Sequence, residues 1–370
     1  MWRSVLFVVG AVLGLIGGPS TVRAAPPDPA GFIFVTSPET PDIAVIDSAS
    51  DAIVTRIRLP GIPRQIVVLG RGRQLVASDA AARKLYVVDI LSASVARVLE
   101  TGIAPVFLQL NRTGTVLAVA DPDAGTVELV RPVGGPAARV TGLPGVRSMA
   151  FTADGRLLVA HGSRIGVIDA AAGRLVAELP SDARDGPVRQ IVTDPGGGAA
   201  FAVQGDQGIL SIFDLETATR ASRLRLPPPL GRMLPSGDSQ FVLIPVAGGR
   251  AMSVISTWTL KESVRIPLSA EASGLGLGLF QSISVATSRN TRSAQSIDLR
   301  DRRRLAHLPL PGVPEGGAAS PDGLKFYVAL SDTGGVAVID LRHSTVSRII
   351  EDAVQGASNT VPAVGAGYCH

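Results

Sequence analysis

A single cysteine, Cys369, occurs among 370 residues. That excludes an internal disulfide framework and a thiolate zinc cluster, which both need several sulfurs. No Cys-x-x-Cys-His is present, so covalent c-type haem attachment is excluded too. Aromatic residues make up only 4% of the chain, and Trp258 is the one tryptophan beyond Trp2. Lysine is scarce as well, with three among the 35 basic residues. No Gly-x-Ser-x-Gly, His-Glu-x-x-His or paired-carboxylate motif appears. What the chain has in quantity is turn-formers, 41 glycines and 27 prolines, with 46% hydrophobic and 18% charged residues. This is the composition of a globular protein built from many short elements joined by tight turns. The length suits two ordinary domains or one large repetitive one.

The N-terminus reads as a targeting segment. Met1-Trp2-Arg3 is followed by an apolar run from Ser4 to Gly18, then by Val22-Arg23-Ala24. This is the layout of a secretory signal peptide, with cleavage expected after Ala24. The apolar run is shorter than the roughly 20 residues that span a bilayer, and no later run is long enough. The expected mature chain, residues 25–370, is one domain without a membrane anchor, periplasmic or secreted. Removing Arg3 and Arg23 takes the formal charge from +4 to +2. So balanced a chain has no nucleic-acid footprint, and no nucleic-acid partner is expected.

A motif recurs along the rest. Short apolar stretches end in Asp47, Asp89, Asp169, Asp214, Asp298 and Asp340, and the steps from Asp47 to Asp89 and from Asp298 to Asp340 are each 42 residues. The same step from Asp89 reaches Arg131 and from Asp214 reaches Ser256, each closing a degenerate copy of the stretch. That makes eight copies. Around each lie an upstream β-rich run, a turn such as Ser320-Pro321-Asp322-Gly323, a further apolar run, and a downstream strand such as Ala52 to Leu59. Four short strands per 42 residues is the pattern of a propeller blade, whose two faces are buried only within a closed ring. The repeated aspartates read as turn caps, not as catalytic acids. Gly274-Leu275-Gly276-Leu277-Gly278 has the wrong spacing for a phosphate loop and reads as an innermost strand. The first copy lacks an inner strand, and the tail Val361–Gly367 is expected to supply it and close the ring. The expected fold is therefore all-β, a single propeller of four-stranded antiparallel blades. Eight blades follow from the count, or seven if an irregular sixth or seventh copy is not a true blade.

The segments Asp42-Ile43-Ala44-Val45-Ile46-Asp47 to Pro63 and Ser320-Pro321-Asp322-Gly323-Leu324-Lys325-Phe326-Tyr327-Val328 resemble the YVTN-type β-propeller repeat. The resemblance covers residues 30 to 360. It implies a secreted or periplasmic propeller that serves as a binding module or works beside redox enzymes, and it carries over no catalytic residue.

Propeller ligands sit at one mouth of the central channel. Arg64, Arg147, Arg189 and Arg232 begin inner strands after turns rich in proline and glycine, such as Pro60-Gly61-Ile62-Pro63. Converging there, they form a positive funnel suited to a carboxylate or phosphate ligand. His161 ends a second strand and is expected at the same mouth, whereas His307 and His343 read as surface residues. Cys369-His370 is a weak candidate metal pair. The leading expectation is a non-catalytic module that binds a small anionic ligand or a periplasmic protein, with no cofactor of its own. An alternative is a cofactor-carrying propeller similar to the d-type haem domain of nitrite reductases or to its assembly factors. A third is a lactonase-type hydrolase relying on His161. A quinoprotein is disfavoured, because its blades carry tryptophans that this chain lacks.

Overall fold

The computed structural model describes residues 28–135 and 137–363. The expected leader and the Cys369-His370 pair lie outside them. Within the described residues, eight four-stranded antiparallel sheets make an eight-bladed β-propeller with almost no helix. The irregular sixth and seventh copies are true blades, so the seven-blade alternative falls. Blades 2 to 8 each use four consecutive strands, with the first strand of each innermost, and most neighbouring first strands pack against one another around the axis. Blade 2, for example, comprises Ile66–Leu69, Gln74–Asp79, Lys84–Asp89 and Ser94–Glu100.

Blade 1 is the composite one. Phe32–Thr36, Asp42–Asp47 and Ala52–Arg58 are completed on the inside by Asn359–Pro362. Ile33 lies opposite Pro362 and Thr36 opposite Asn359. Flanking this register, the Ser358 N–H donates to the Thr36 carbonyl at 3.0 Å and the Ala363 N–H to the Phe32 carbonyl at 2.8 Å. The closing strand thus begins two residues before the stretch expected from the sequence, whose last residues lie outside those described.

The second and third strands from the axis are largely apolar and buried because neighbouring blades cover both of their faces, whereas the outermost strands, such as Ser94–Glu100, alternate with exposed residues. Successive side chains of a strand point to opposite faces. In Phe32–Thr36, Phe32 and Phe34 enter the seam with blade 2 beside Ile66 and Leu75. Ile33 and Val35 enter the seam with blade 8 beside Tyr327 and Ala329. The hydrophobic core is a set of such seams, one between each pair of neighbours. At the closing seam the Lys325 ammonium reaches both carboxylate oxygens of Asp51 at 2.9 Å, and the Tyr327 hydroxyl donates to the same carboxylate. Burial, then Asp51, pushes the Tyr327 phenol well above its ordinary range. The glycines of Gly274–Gly278 meet a packing demand, since a Cβ on Gly276 would overlap the buried Phe326 ring.

The recurrent aspartates cap turns. Each ends a third strand and accepts backbone N–H groups of the turn that follows, as when Asp169 accepts from Ala171 and Ala172, both at 2.9 Å. The Ser92 N–H, at 2.9 Å, holds the Asp89 carboxyl below its ordinary range. Ser256 fills the role in blade 6 with weaker bonds, from Trp258 at 3.3 Å and Thr259 at 3.2 Å.

Two outcomes follow from this architecture. Asp89→Ala is expected to cost about 1 kcal/mol, while Ser256→Asp raises the thermal midpoint, read by calorimetry. Ending the chain at Ser358 is expected to lower that midpoint and strip hydrogen-exchange protection from Phe32–Thr36 ahead of blades 4 and 5.

Candidate functional site: an arginine-bearing channel mouth

The outer-to-inner loops and the second-to-third strand loops gather at one end of the ring. They enclose a cavity of about 910 Å³ whose walls include Arg64, Arg147 and Arg232 with Asp79, Phe107 and Met149. A side cavity of about 250 Å³ shares Arg232, Ser358 and Asn359 with it and extends to Arg289 and Glu315. Three of the four arginines expected from the sequence are therefore brought together.

Local backbone geometry puts them there. In blade 4 the pairing between inner and second strand slips between Val146 and Ser148, leaving Arg147 as the extra residue. Such a bulge re-aims a side chain out of the ladder. The same slip falls on Arg189 in blade 5, and in blade 8 a slip between Pro314 and Gly317 spans Glu315. Arg64 precedes its strand, and its N–H donates to the Ser78 carbonyl at 2.8 Å. Side chains then staple neighbouring inner strands together. Gln65 accepts from the Leu108 N–H at 2.7 Å, Ser148 from Ile191 at 3.2 Å, and Gln190 from Met233 at 2.7 Å. The ring of backbone carrying the arginines is thereby held rigid.

The charges at this mouth are uneven. Arg64 and Arg147 are exposed and have no ion-pair partner among the described residues. Asp79 does not neutralise them. It is buried, and it accepts from the Tyr86 hydroxyl at 3.1 Å and the Ala82 N–H at 2.9 Å. Burial and that bond raise the Tyr86 phenol. Guanidinium groups with open donor forks are suited to bidentate contact with carboxylate or phosphate.

The other expected site residues lie elsewhere. Arg189 is exposed, pairs with Asp206 and is not in the cavity wall. His161 does end its second strand at this end of the ring, but it is 4% exposed. Its Nε2 has no hydrogen-bond partner among the described residues and lies where a Cβ on Gly166 would meet it, close to Leu143. His307 is on an outer strand and His343 bonds Asp340 at 3.0 Å, both exposed as expected. Sequence reasoning missed Arg289 and Glu315. Their ion pair, at 2.9 Å, links blade 7 to blade 8 within the side cavity. The available signal was Arg289 itself, one residue beyond a second strand that ends at Ser288, in a loop class already assigned to this mouth.

No family model matches the chain, and no curated protein matches it significantly. Among solved structures it is similar to the dihydro-heme d1 dehydrogenase NirN in complex with DHE. That match has a TM-score of 0.74 and 15% identity and covers 92% of this chain and 76% of that one. It is also similar to Kuenenia stuttgartiensis hydrazine synthase, with a TM-score of 0.58 and 17% identity over 76% of this chain and 96% of that one. At these identities the likeness establishes the propeller fold.

Burial, opposed by Glu178 and reinforced by Arg164, holds the His161 imidazole below its ordinary value. The unfolded chain therefore takes up this proton first. Its contribution to stability is complete above about pH 6.5 and is lost as the pH falls toward the folded value. In His161→Gln the drop in thermal midpoint between pH 7.5 and 5.5 is expected to be smaller than in the parent. An identical drop would show that His161 is not the titrating group.

Proposed function

We propose that this chain is an exported, non-catalytic binding module that takes a wide, flat anion with several carboxylates at the channel mouth. The observation that carries this reading is the placement of the arginines. Arg64, Arg147 and Arg232 belong to the inner ends of blades 2, 4 and 6, alternate members of an eight-membered ring, around one cavity. A small anion reaches one of them. A linear dicarboxylate reaches two. A disc with carboxylates on several sides reaches all three. A cavity of about 910 Å³ is at the upper end of ordinary ligand sites, and its Phe107 and Met149 wall suits an apolar ring.

The neighbour named for dihydro-heme d1 makes a carboxylated tetrapyrrole the first ligand class to try. The arginines suit the acidic rim of such a macrocycle. The lining offers its metal no imidazole, so the residues fit the periphery and no metal chemistry is derived. The YVTN resemblance is consistent with an exported propeller that binds, and it adds no site residue.

Titration of the purified protein with uroporphyrin, followed by its absorption and fluorescence, tests the reading. Saturable binding is expected, weakened at least about 100-fold when Arg64, Arg147 and Arg232 are replaced together by alanine. Arg189→Ala is the control and is expected to stay within about twofold of the parent, because that guanidinium is already paired. Equal affinity in the parent and the triple variant would reject the reading.

A further inference from the structure

In an antiparallel blade the turns from first to second strand and from third to fourth strand lie at the end of the ring away from the arginine mouth. The four most exposed large hydrophobic side chains among the described residues are all on these turns. Leu91, Val133 and Trp258 follow the third strands of blades 2, 3 and 6, and Phe280 follows the first strand of blade 7. Each is at least 68% exposed, whereas no other large hydrophobic exceeds 46%. Every other described aromatic ring is buried or half-buried. Exposed apolar residues scattered singly are ordinary, but these share one face.

Backbone and side-chain bonds build that face. Thr257, beside Trp258, donates its hydroxyl to the Ser239 carbonyl at 2.6 Å. In the same turn as Ser239, the Gly237 N–H donates to the Gln281 side-chain oxygen at 2.8 Å. The Leu299 N–H donates to the Ser282 carbonyl at 2.9 Å. The turns that carry Trp258, Phe280 and Arg300 are thus one bonded surface. Leu279, Phe280 and Gln281 have φ of 44°, 54° and 65°, a left-handed run without glycine. Such backbone is costly, and here it leaves a phenyl ring in solvent where no burial repays it. Around the two rings Lys261, Arg300, Arg302 and Arg304 are exposed and have no ion-pair partner among the described residues. Of the nearby carboxylates, Glu262 and Asp301 are paired with Arg265 and Arg303. Asp238 and Asp298 accept backbone N–H groups of their own turns. Across the ring Arg73 is exposed, and its carbonyl accepts from the Ile90 N–H, next to Leu91, at 3.0 Å.

We infer that this face docks on an anionic lipid surface, with Trp258 and Phe280 entering among the headgroups and the unpaired cations meeting phosphates. In an eight-membered ring blades 2 and 3 stand opposite blades 6 and 7. Apolar tips on both sides of the axis touch together only on something wide and flat, whereas a small partner reaches one side. Tryptophan settles at the headgroup level of a bilayer, and each neighbouring Lys or Arg adds attraction to anionic lipid. The arginine mouth would then point away from the lipid into water. The inference concerns the opposite end of the ring and does not rest on the ligand reading above.

Flotation with vesicles of phosphatidylglycerol and phosphatidylethanolamine, against vesicles of phosphatidylcholine alone, tests it. The parent is expected to float with the anionic vesicles and to dissociate as salt is raised. Trp258 emission, isolated as the difference from Trp258→Phe, is expected to shift to the blue. Three paired variants, Trp258→Ala with Phe280→Asn, Arg300→Gln with Arg302→Gln, and Leu91→Ser with Val133→Ser, are each expected to weaken partitioning at least about fivefold. Asparagine at 280 tolerates the left-handed backbone. All three pairs are expected to bind uroporphyrin as the parent does, so a failure here leaves the ligand reading standing. A parent that does not float, or partitioning unchanged in any of the three pairs, overturns the inference. So does self-association in sedimentation that the aromatic pair abolishes without any vesicle binding, which would assign the face to a second copy of the chain.

Discussion

The four-residue pairing between the two ends of the described chain governs the rest. A propeller blade has two apolar faces, and seven complete blades with one three-stranded blade would leave a gap at the axis. Asn359–Pro362 fills that gap and ties itself to Phe32–Thr36 by backbone hydrogen bonds. The seam between blades 8 and 1 then buries Ile33 and Val35 against Tyr327 and Ala329, and Lys325 binds Asp51 across it. The same strand serves the mouth. Ser358 and Asn359, at its start, form the wall common to both cavities. Closure and site are one piece of backbone, so the shape of the mouth depends on the ring being shut.

At that mouth, rigid backbone and uneven charge work together. Bulges turn Arg147 and Glu315 out of their ladders, and side-chain staples from Gln65, Ser148 and Gln190 fix the spacing of the strands that carry them. Donors held in place before a ligand arrives lose less entropy on binding. The charges that matter are those the fold leaves uncommitted. Of the guanidinium groups near this end, Arg189 is taken by Asp206 and Arg289 by Glu315, while Arg64 and Arg147 have no ion-pair partner among the described residues.

The blades were legible in the sequence because their determinants are local. An aspartate that caps its own turn, preceded by an apolar strand, repeats with the blade, and Asp47 through Asp340 mark the period directly. The missing inner strand of the first copy and the surplus tail pointed to closure by the same arithmetic. The arginines were legible as far as strand order goes, since an inner strand's first residue must lie near the axis. What could not be read was which loop side chains pair with one another, within a blade or across two. Asp206 sits 17 residues after Arg189, and Glu315 lies in the next blade from Arg289, so no spacing rule connects them. His161 failed for a related reason. A residue at the end of a strand can face the channel or a seam, and the packing beside Leu143 and Gly166 decides which.

The composite blade also fixes an order of events. Its first three strands precede the other seven blades in the chain and its fourth follows them, so the ring cannot shut until all seven are made. Until then the molecule is an open arc with two free sheet edges, one of them the apolar strand Phe32–Thr36. Such edges invite pairing with other chains, and contacts across so much sequence form slowly. The strand that completes the channel mouth is therefore also what covers an aggregation-prone edge. A chain that stops short of it would lose one wall of the channel mouth and leave that edge uncovered in the same step.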